Sequence, residues 1–137
     1  MKTIKLFILP VLLLITLTGC KKDKTPGIVG KWKLEKVKLS YYPSDYDFPT
    51  EFNYSENNII YQFRANGILK VTSDVMEYMG KKPGEYSYHT NYTKTDVIVI
   101  SGDNTTIPPG EYNVSGNNLV ISYSTSDGPI YYFTRVK

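Results

Sequence analysis

The chain predicts an all-β domain, an eight-stranded antiparallel up-and-down β-barrel, and three observations predict it. Thirteen tyrosines lie among many valines, isoleucines and threonines in 137 residues, and such side chains suit a pleated, half-buried surface. No window long enough for a helix repeats its apolar residues at helical spacing. Gly, Asn, Asp and Pro interrupt the chain at short intervals, as hairpin turns require. A chain of this length makes one domain comfortably and two with difficulty.

The first residues stand apart from that domain. Lys2 and Lys5 precede a run over 6–17 that only Pro10 and Thr16 break in character. Its twelve residues are too few to cross a bilayer as a helix and have the proportions of a signal-peptide core. Leu17-Thr18-Gly19-Cys20 follows, with small residues before the Cys, and resembles the bacterial lipobox. That resemblance implies cleavage before Cys20, a diacylglycerol on its sulfur and usually an acyl group on the freed amine. The expected organisation is a lipoprotein signal peptide over 1–19, a lipidated Cys20 and tether over 20–27, and a barrel domain over 28–137. Cys20 is the only cysteine, so an internal disulfide and paired-Cys metal or redox centres are excluded. Each buried methylene of a lipid contributes about 0.8 kcal/mol and one chain alone holds marginally, so several acyl groups would tether the protein to a membrane without spanning it. Enterobacterial lipoproteins kept in the inner membrane carry Asp after the Cys. Lys21 stands there instead, which by resemblance points to the outer membrane. Cys20-Lys21-Lys22-Asp23 also partly resembles the export tag of Bacteroidetes surface lipoproteins, so the periplasmic and surface faces both stay open.

Charge narrows the partners. The whole chain is +3; removing Lys2 and Lys5 leaves +1, and residues 21–24 hold +2, so the region from Pro26 onward is −1. A near-neutral domain has no electrostatic reason to bind nucleic acid. The tether lysines suit anionic head groups or solvate the linker.

Eight strands are expected, over 31–39, 58–64, 68–75, 84–90, 96–101, 110–115, 118–124 and 130–136. The first opens at Gly30-Lys31-Trp32, where the pleat aims Trp32, the only Trp, to the same side as Leu34. Ala65-Asn66-Gly67 and Ser115-Gly116-Asn117 are hairpin signals between apolar runs, and Ser126-Asp127-Gly128-Pro129 turns the chain into the last strand. Strand 96–101 is apolar on both faces, so its outer side needs a cover or a partner. Short links favour sequential neighbours, and closing such a sheet removes its edges. Eight strands leave an interior that side chains fill or that holds one small ligand.

Together, Gly30-x-Trp32, Tyr61-x-Phe63-x-x-Asn66-Gly67, Gly110-Glu111-Tyr112-x-Val114-x-Gly116-Asn117-x-Leu119 and an aromatic last strand ending in Arg135 resemble the lipocalins. They resemble in particular the short lipocalin-like domains of Bacteroidetes lipoproteins. The resemblance implies that Arg135 packs over Trp32 near Gly30 and that a loop after the first strand covers a cup. The chain is shorter than a typical lipocalin and shows no helix after its last strand, which puts a deep cup in question.

The outstanding connection is 40–57, whose eighteen residues hold four Tyr, two Phe and the acids Asp45, Asp47, Glu51 and Glu56. Loops of this length are usually functional or disordered, and this one is too aromatic for a plain linker. Either Tyr41, Tyr42, Tyr46 and Phe48 meet a ligand at the cup, with the acids choosing a cation or hydroxyls, or the loop folds against the outside. Among strand aromatics, Tyr61, Phe63, Tyr86, Tyr88 and Tyr112 are candidates to face inward, where they would line a cavity or make a solid aromatic core. Tyr123 and Tyr132 also lie on strands. Asp45-x-Asp47 lacks the other ligands and the glycine of a calcium loop. His89 stands alone, and no nucleophile, zinc or phosphate-loop motif occurs. The expectation is therefore a non-enzymatic, membrane-anchored lipocalin-like protein that takes a small apolar or amphipathic ligand, without cofactor or metal. The alternative is a cell-envelope module with a filled barrel that docks another protein. A third, remoter reading is a hydrolase built from loop acids.

Overall fold

The computed structural model describes residues 27–41, 49–92, 96–102 and 108–137. Cys20, Tyr42, Tyr46 and Phe48, named above, lie outside these residues, as do Asp45 and Asp47. The strands are β1 (Gly30–Leu39), β2 (Glu51–Asn53), β3 (Ile60–Phe63), β4 (Ile68–Thr72), β5 (Gly84–Tyr92), β6 (Asp96–Ser101), β7 (Gly110–Ser115), β8 (Asn118–Ser122) and β9 (Pro129–Arg135). From β3 onward each strand pairs antiparallel with the next, and β1 closes the sheet by pairing with both β3 and β9. The result is a closed eight-stave antiparallel barrel. All eight expected strands are present.

The ninth, β2, corrects the expectation for 40–57. β3 pairs with β1 only from Gly30 to Lys33, which leaves the second half of that β1 edge without a partner. Unpaired backbone groups on an edge attract any available strand. Glu51, Phe52 and Asn53 take the place, opposite Lys38, Val37 and Lys36. The Tyr54 N–H donates to the Glu35 carbonyl at 2.7 Å, and the Leu34 N–H to that of Ile59 at 2.9 Å. β2 and β3 therefore act as two pieces of one stave.

A bulge sets which side chains face in. Opposite β9, Leu34 pairs with Phe133 and Lys36 with Tyr132, so β1 advances two residues while β9 advances one. The extra residue, Glu35, shifts the alternation. Trp32, Leu34 and Val37 are buried as a result, and Lys36 stays outside against Glu51 at 3.2 Å. The extra carboxylate is held by the Thr134 hydroxyl at 2.6 Å.

The core lines the inside of the barrel. Ile59, Tyr61 and Phe63, Leu69 and Val71, Tyr86 and Tyr88, Ile98 and Ile100, Leu119, Ile121 and Tyr123, and Phe133 are all buried. Their period of two follows from the pleat. Many outward positions are charged or polar, among them Lys38, Lys70, Glu85, His89, Glu111 and Asn113, all exposed. Val97 and Val99, the outer face of β6, are half-buried.

All connections of one kind share an end. The turns 64–67 and 116–117 lie at the end where β1 begins and β9 finishes. The links 73–83 and 123–128 lie at the other, where β1 and β6 end. Two strand ends fall short of expectation there for local reasons. Ser73 exchanges hydrogen bonds with Val75 at 2.9 and 3.1 Å, which turns the chain after Thr72. After Ser122, a short 3-10 turn over Ser124–Ser126 ends at Asp127 with φ 54°.

Candidate functional site

One end of the barrel is sealed. Trp32 is 0% exposed, and its indole N–H donates to the Ile28 carbonyl at 2.6 Å. The Arg135 guanidinium carbon lies 4.1 Å from the indole centroid, a cation over a ring face. The same guanidinium donates to the carbonyls of Val29 at 3.3 Å and Gly27 at 3.4 Å. Arg135 is thus both the cap of the indole and the clamp of the lead-in. Gly30 makes the approach possible, with φ 144° and Arg135 Nη1 2.7 Å from where a Cβ would stand. Gly30→Ala is expected to cost about 1–3 kcal/mol through backbone strain and a displaced guanidinium, read from urea unfolding. No loss would mean that the stacking does not depend on this glycine.

The other end opens into a cup of about 610 Å³. Its wall is aromatic and aliphatic: Tyr61, Tyr86, Tyr123, Tyr131, Phe133, Ile100 and Ile121, with Lys81 and Lys82 also lining it. That volume is in the range of small-molecule sites. The rings brace one another: Tyr61 meets Phe133 edge-on at 5.0 Å, and Tyr123 meets Tyr131 edge-on at 6.0 Å. Gly110 and Gly128 admit Tyr123, since a Cβ at either would come within 2.7 Å of it.

A strap, residues 73–83, crosses this end and is tied down by tyrosine hydroxyls. Tyr61 accepts from the Lys81 N–H at 2.8 Å, and Tyr54 accepts from the Met79 N–H at 2.9 Å. Tyr86 donates to the Lys82 carbonyl at 2.7 Å, and Tyr78 donates to that of Lys81. Gly80 fits because a Cβ there would lie 2.6 Å from the Tyr78 ring and 2.7 Å from the Tyr61 hydroxyl. Of this strap, Gly80, Lys81 and Lys82 border the cup. Within the described part of 40–57, the segment expected to act as lid, Glu51–Asn53 pairs with β1.

Burial shapes the tyrosine chemistry. Loss of solvent pushes the Tyr61 hydroxyl well above its ordinary value of 10.0, and its interactions with Tyr78 and Tyr131 push it further. Burial raises Tyr123 to about 12 and moves Tyr131 up as well. Tyr78 also rises to about 12, burial outweighing the opposing hydrogen bond to Tyr61. These groups are neutral hydroxyls at any physiological pH.

The candidates from sequence divide three ways. Tyr61 and Tyr86 line the cup. Phe63, Tyr88 and Tyr112 do not: Phe63 stacks edge-on against Tyr88 at 5.0 Å, and the Tyr88 hydroxyl donates to the Arg64 carbonyl at 2.7 Å, at the sealed end. Tyr88 and Tyr112 border a smaller hollow there, of about 250 Å³. Tyr41 is 67% exposed and absent from the cup lining. Sequence reasoning missed Tyr131 and Phe133 as wall residues. The signal was available, since placing Arg135 over Trp32 puts Phe133 and Tyr131 on the same inner face, two and four residues back. Tyr132 lies on the opposite face, where Lys36 Nζ sits 5.0 Å from its ring.

Of the acids of 40–57, Glu51 is spent on Lys36 and Glu56 is exposed. Among the described residues no three His, Cys, Asp or Glu side chains gather to hold a metal. The exposed large apolar side chains Val29, Tyr41, Met76 and Val136 are spread over both ends. No protein-family model, curated protein or solved structure matches this chain.

Proposed function

We propose that this protein is a lipid-anchored, lipocalin-like carrier that takes one small apolar or amphipathic molecule into its barrel without covalent chemistry. The observation that carries the reading is the cup of about 610 Å³ walled by Tyr61, Tyr86, Tyr123, Tyr131 and Phe133. An apolar body gains from leaving water against such rings, at roughly 25 cal/mol per Å² of apolar surface buried. The sealed Trp32 end makes the cup a dead end, which suits holding a guest more than passing one through. The anchor rests on Cys20 and its lipobox-like setting, and the outer membrane on Lys21 after it.

Native mass spectrometry of the protein extracted from membranes tests both halves at once. The expected spectrum shows a covalent mass on Cys20 equal to a diacylglycerol with or without a further acyl group, and a separate mass lost on gentle activation. An unmodified thiol would end the anchor. A barrel that neither retains nor takes up any apolar compound would end the carrier reading.

A further inference from the structure

Resting on the carrier reading, we infer that the guest is an acid: an amphipathic molecule whose apolar body fills the cup and whose anionic group sits at the rim. Three observations converge on this. The described lining contains two cations, Lys81 and Lys82, and no carboxylate. Lys82 is exposed, and only its backbone carbonyl takes part in a described hydrogen bond, from Tyr86. Lys81 Nζ lies 5.2 Å from the Tyr86 ring centroid, which places its charge against the cup wall.

The hydroxyls supply the second observation. Those of Tyr61 and Tyr86 are committed to the strap. Those of Tyr123 and Tyr131 have no hydrogen-bond partner among the described residues, yet neither is sealed from solvent-sized contact. Both line the cup, and burial keeps both protonated. A neutral phenol is a hydrogen-bond donor that an oxyanion accepts from readily.

The third is what the wall offers the remainder of the guest. Ile100, Ile121 and Phe133 present carbon alone, so charge has no partner deep in the cup and would be costly there. An acidic group is therefore confined to the lysine side of the mouth. A cationic guest would meet the ammonium groups as repulsion, and a neutral one would gain nothing from them.

A matched probe pair tests this: anilinonaphthalene sulfonate and its uncharged parent, phenylnaphthylamine, which share one aromatic skeleton. The full lipidated chain is titrated with each, and bound probe is followed by fluorescence. The sulfonate is expected to bind about threefold to tenfold more tightly, the range for two rim charge pairs. Lys81→Gln with Lys82→Gln should erase that difference and leave the parent unchanged, with added salt acting in the same direction. As a control for long-range charge, Lys38→Gln with Lys70→Gln on the outer face should change neither probe. Equal binding of the two probes, or tighter binding of the parent, would overturn the acidic guest while leaving the cup a binding site. A preference for an amine of the same skeleton would overturn it too. If neither probe binds, the carrier reading falls, and this inference with it.

Discussion

Replacing Trp32 with alanine is expected to destabilise the barrel by about 3–5 kcal/mol. The indole is 0% exposed, so its loss leaves an aromatic-sized hole between β1, β3 and β9. It also strips Arg135 of the face it covers and frees the Ile28 carbonyl of its donor. Arg135 is clamped to the carbonyls of Gly27 and Val29, so the damage should spread into the lead-in. A domain of this size holds roughly 5–15 kcal/mol in total, and the variant should approach its limit at body temperature. Because Trp32 is the only Trp, circular dichroism during urea unfolding is the measurement. Trp32→Phe, which keeps a ring for the guanidinium, should recover a good part of the loss. A cost below about 1 kcal/mol for the alanine variant would mean that the seal is made by something other than this side chain.

Alkali should unfold the protein in one cooperative step between pH 10 and about 12. The sign follows from linkage. Burial raises the hydroxyls of Tyr61, Tyr78, Tyr123 and Tyr131 above their ordinary 10.0. Below that value both folded and unfolded chains keep these protons, and the stability is intact. Above it the unfolded chain ionises while the folded chain does not. Each buried tyrosine then removes about 1.4 kcal/mol per pH unit. For Tyr123, raised to about 12, the loss is complete near that pH. Tyr78 is partly exposed and contributes less. Tyrosinate absorbance and circular dichroism should show the buried group ionising together with unfolding. Tyr123→Phe, whose lost hydroxyl has no described partner, should shift the transition to higher pH at little cost near neutrality. A smooth rise in tyrosinate absorbance with the dichroism unchanged would contradict the burial of Tyr61 and Tyr123.

The sheet could be read from the sequence because its signals are local. Asn66-Gly67 and Gly116-Asn117 are turns on their own chemistry, and the runs beside them alternate with a period of two. Tyr61 and Tyr86 are expected to face inward for the same reason. What escaped the reading depends on contacts between distant residues. Glu35 bulges because β9 and β1 must keep Val37 inside, and nothing in Lys33-Leu34-Glu35-Lys36 announces it. β2 is three residues long, too short to show a period, and exists because the pairing of β3 with β1 stops at Lys33. The strap is likewise invisible in sequence, since Met79 and Lys81 are tied to Tyr54 and Tyr61, more than a dozen positions upstream. On β9, sequence reasoning noted Tyr132 and passed over Tyr131, whose parity puts it on the wall.

The lead-in has a consequence for posture. Its backbone, over Gly27, Ile28 and Val29, is gripped at the Trp32 pole, so anything attached upstream pulls on the foot of the vessel and leaves its lip at the far pole. With a fatty anchor at Cys20, seven residues would remain before Gly27, about 25 Å of chain at full stretch. β1 alone rises about 33 Å along its own direction. If Cys20 carries that anchor, so short a stem would hold the Trp32 pole toward the bilayer and leave the cup facing away from it.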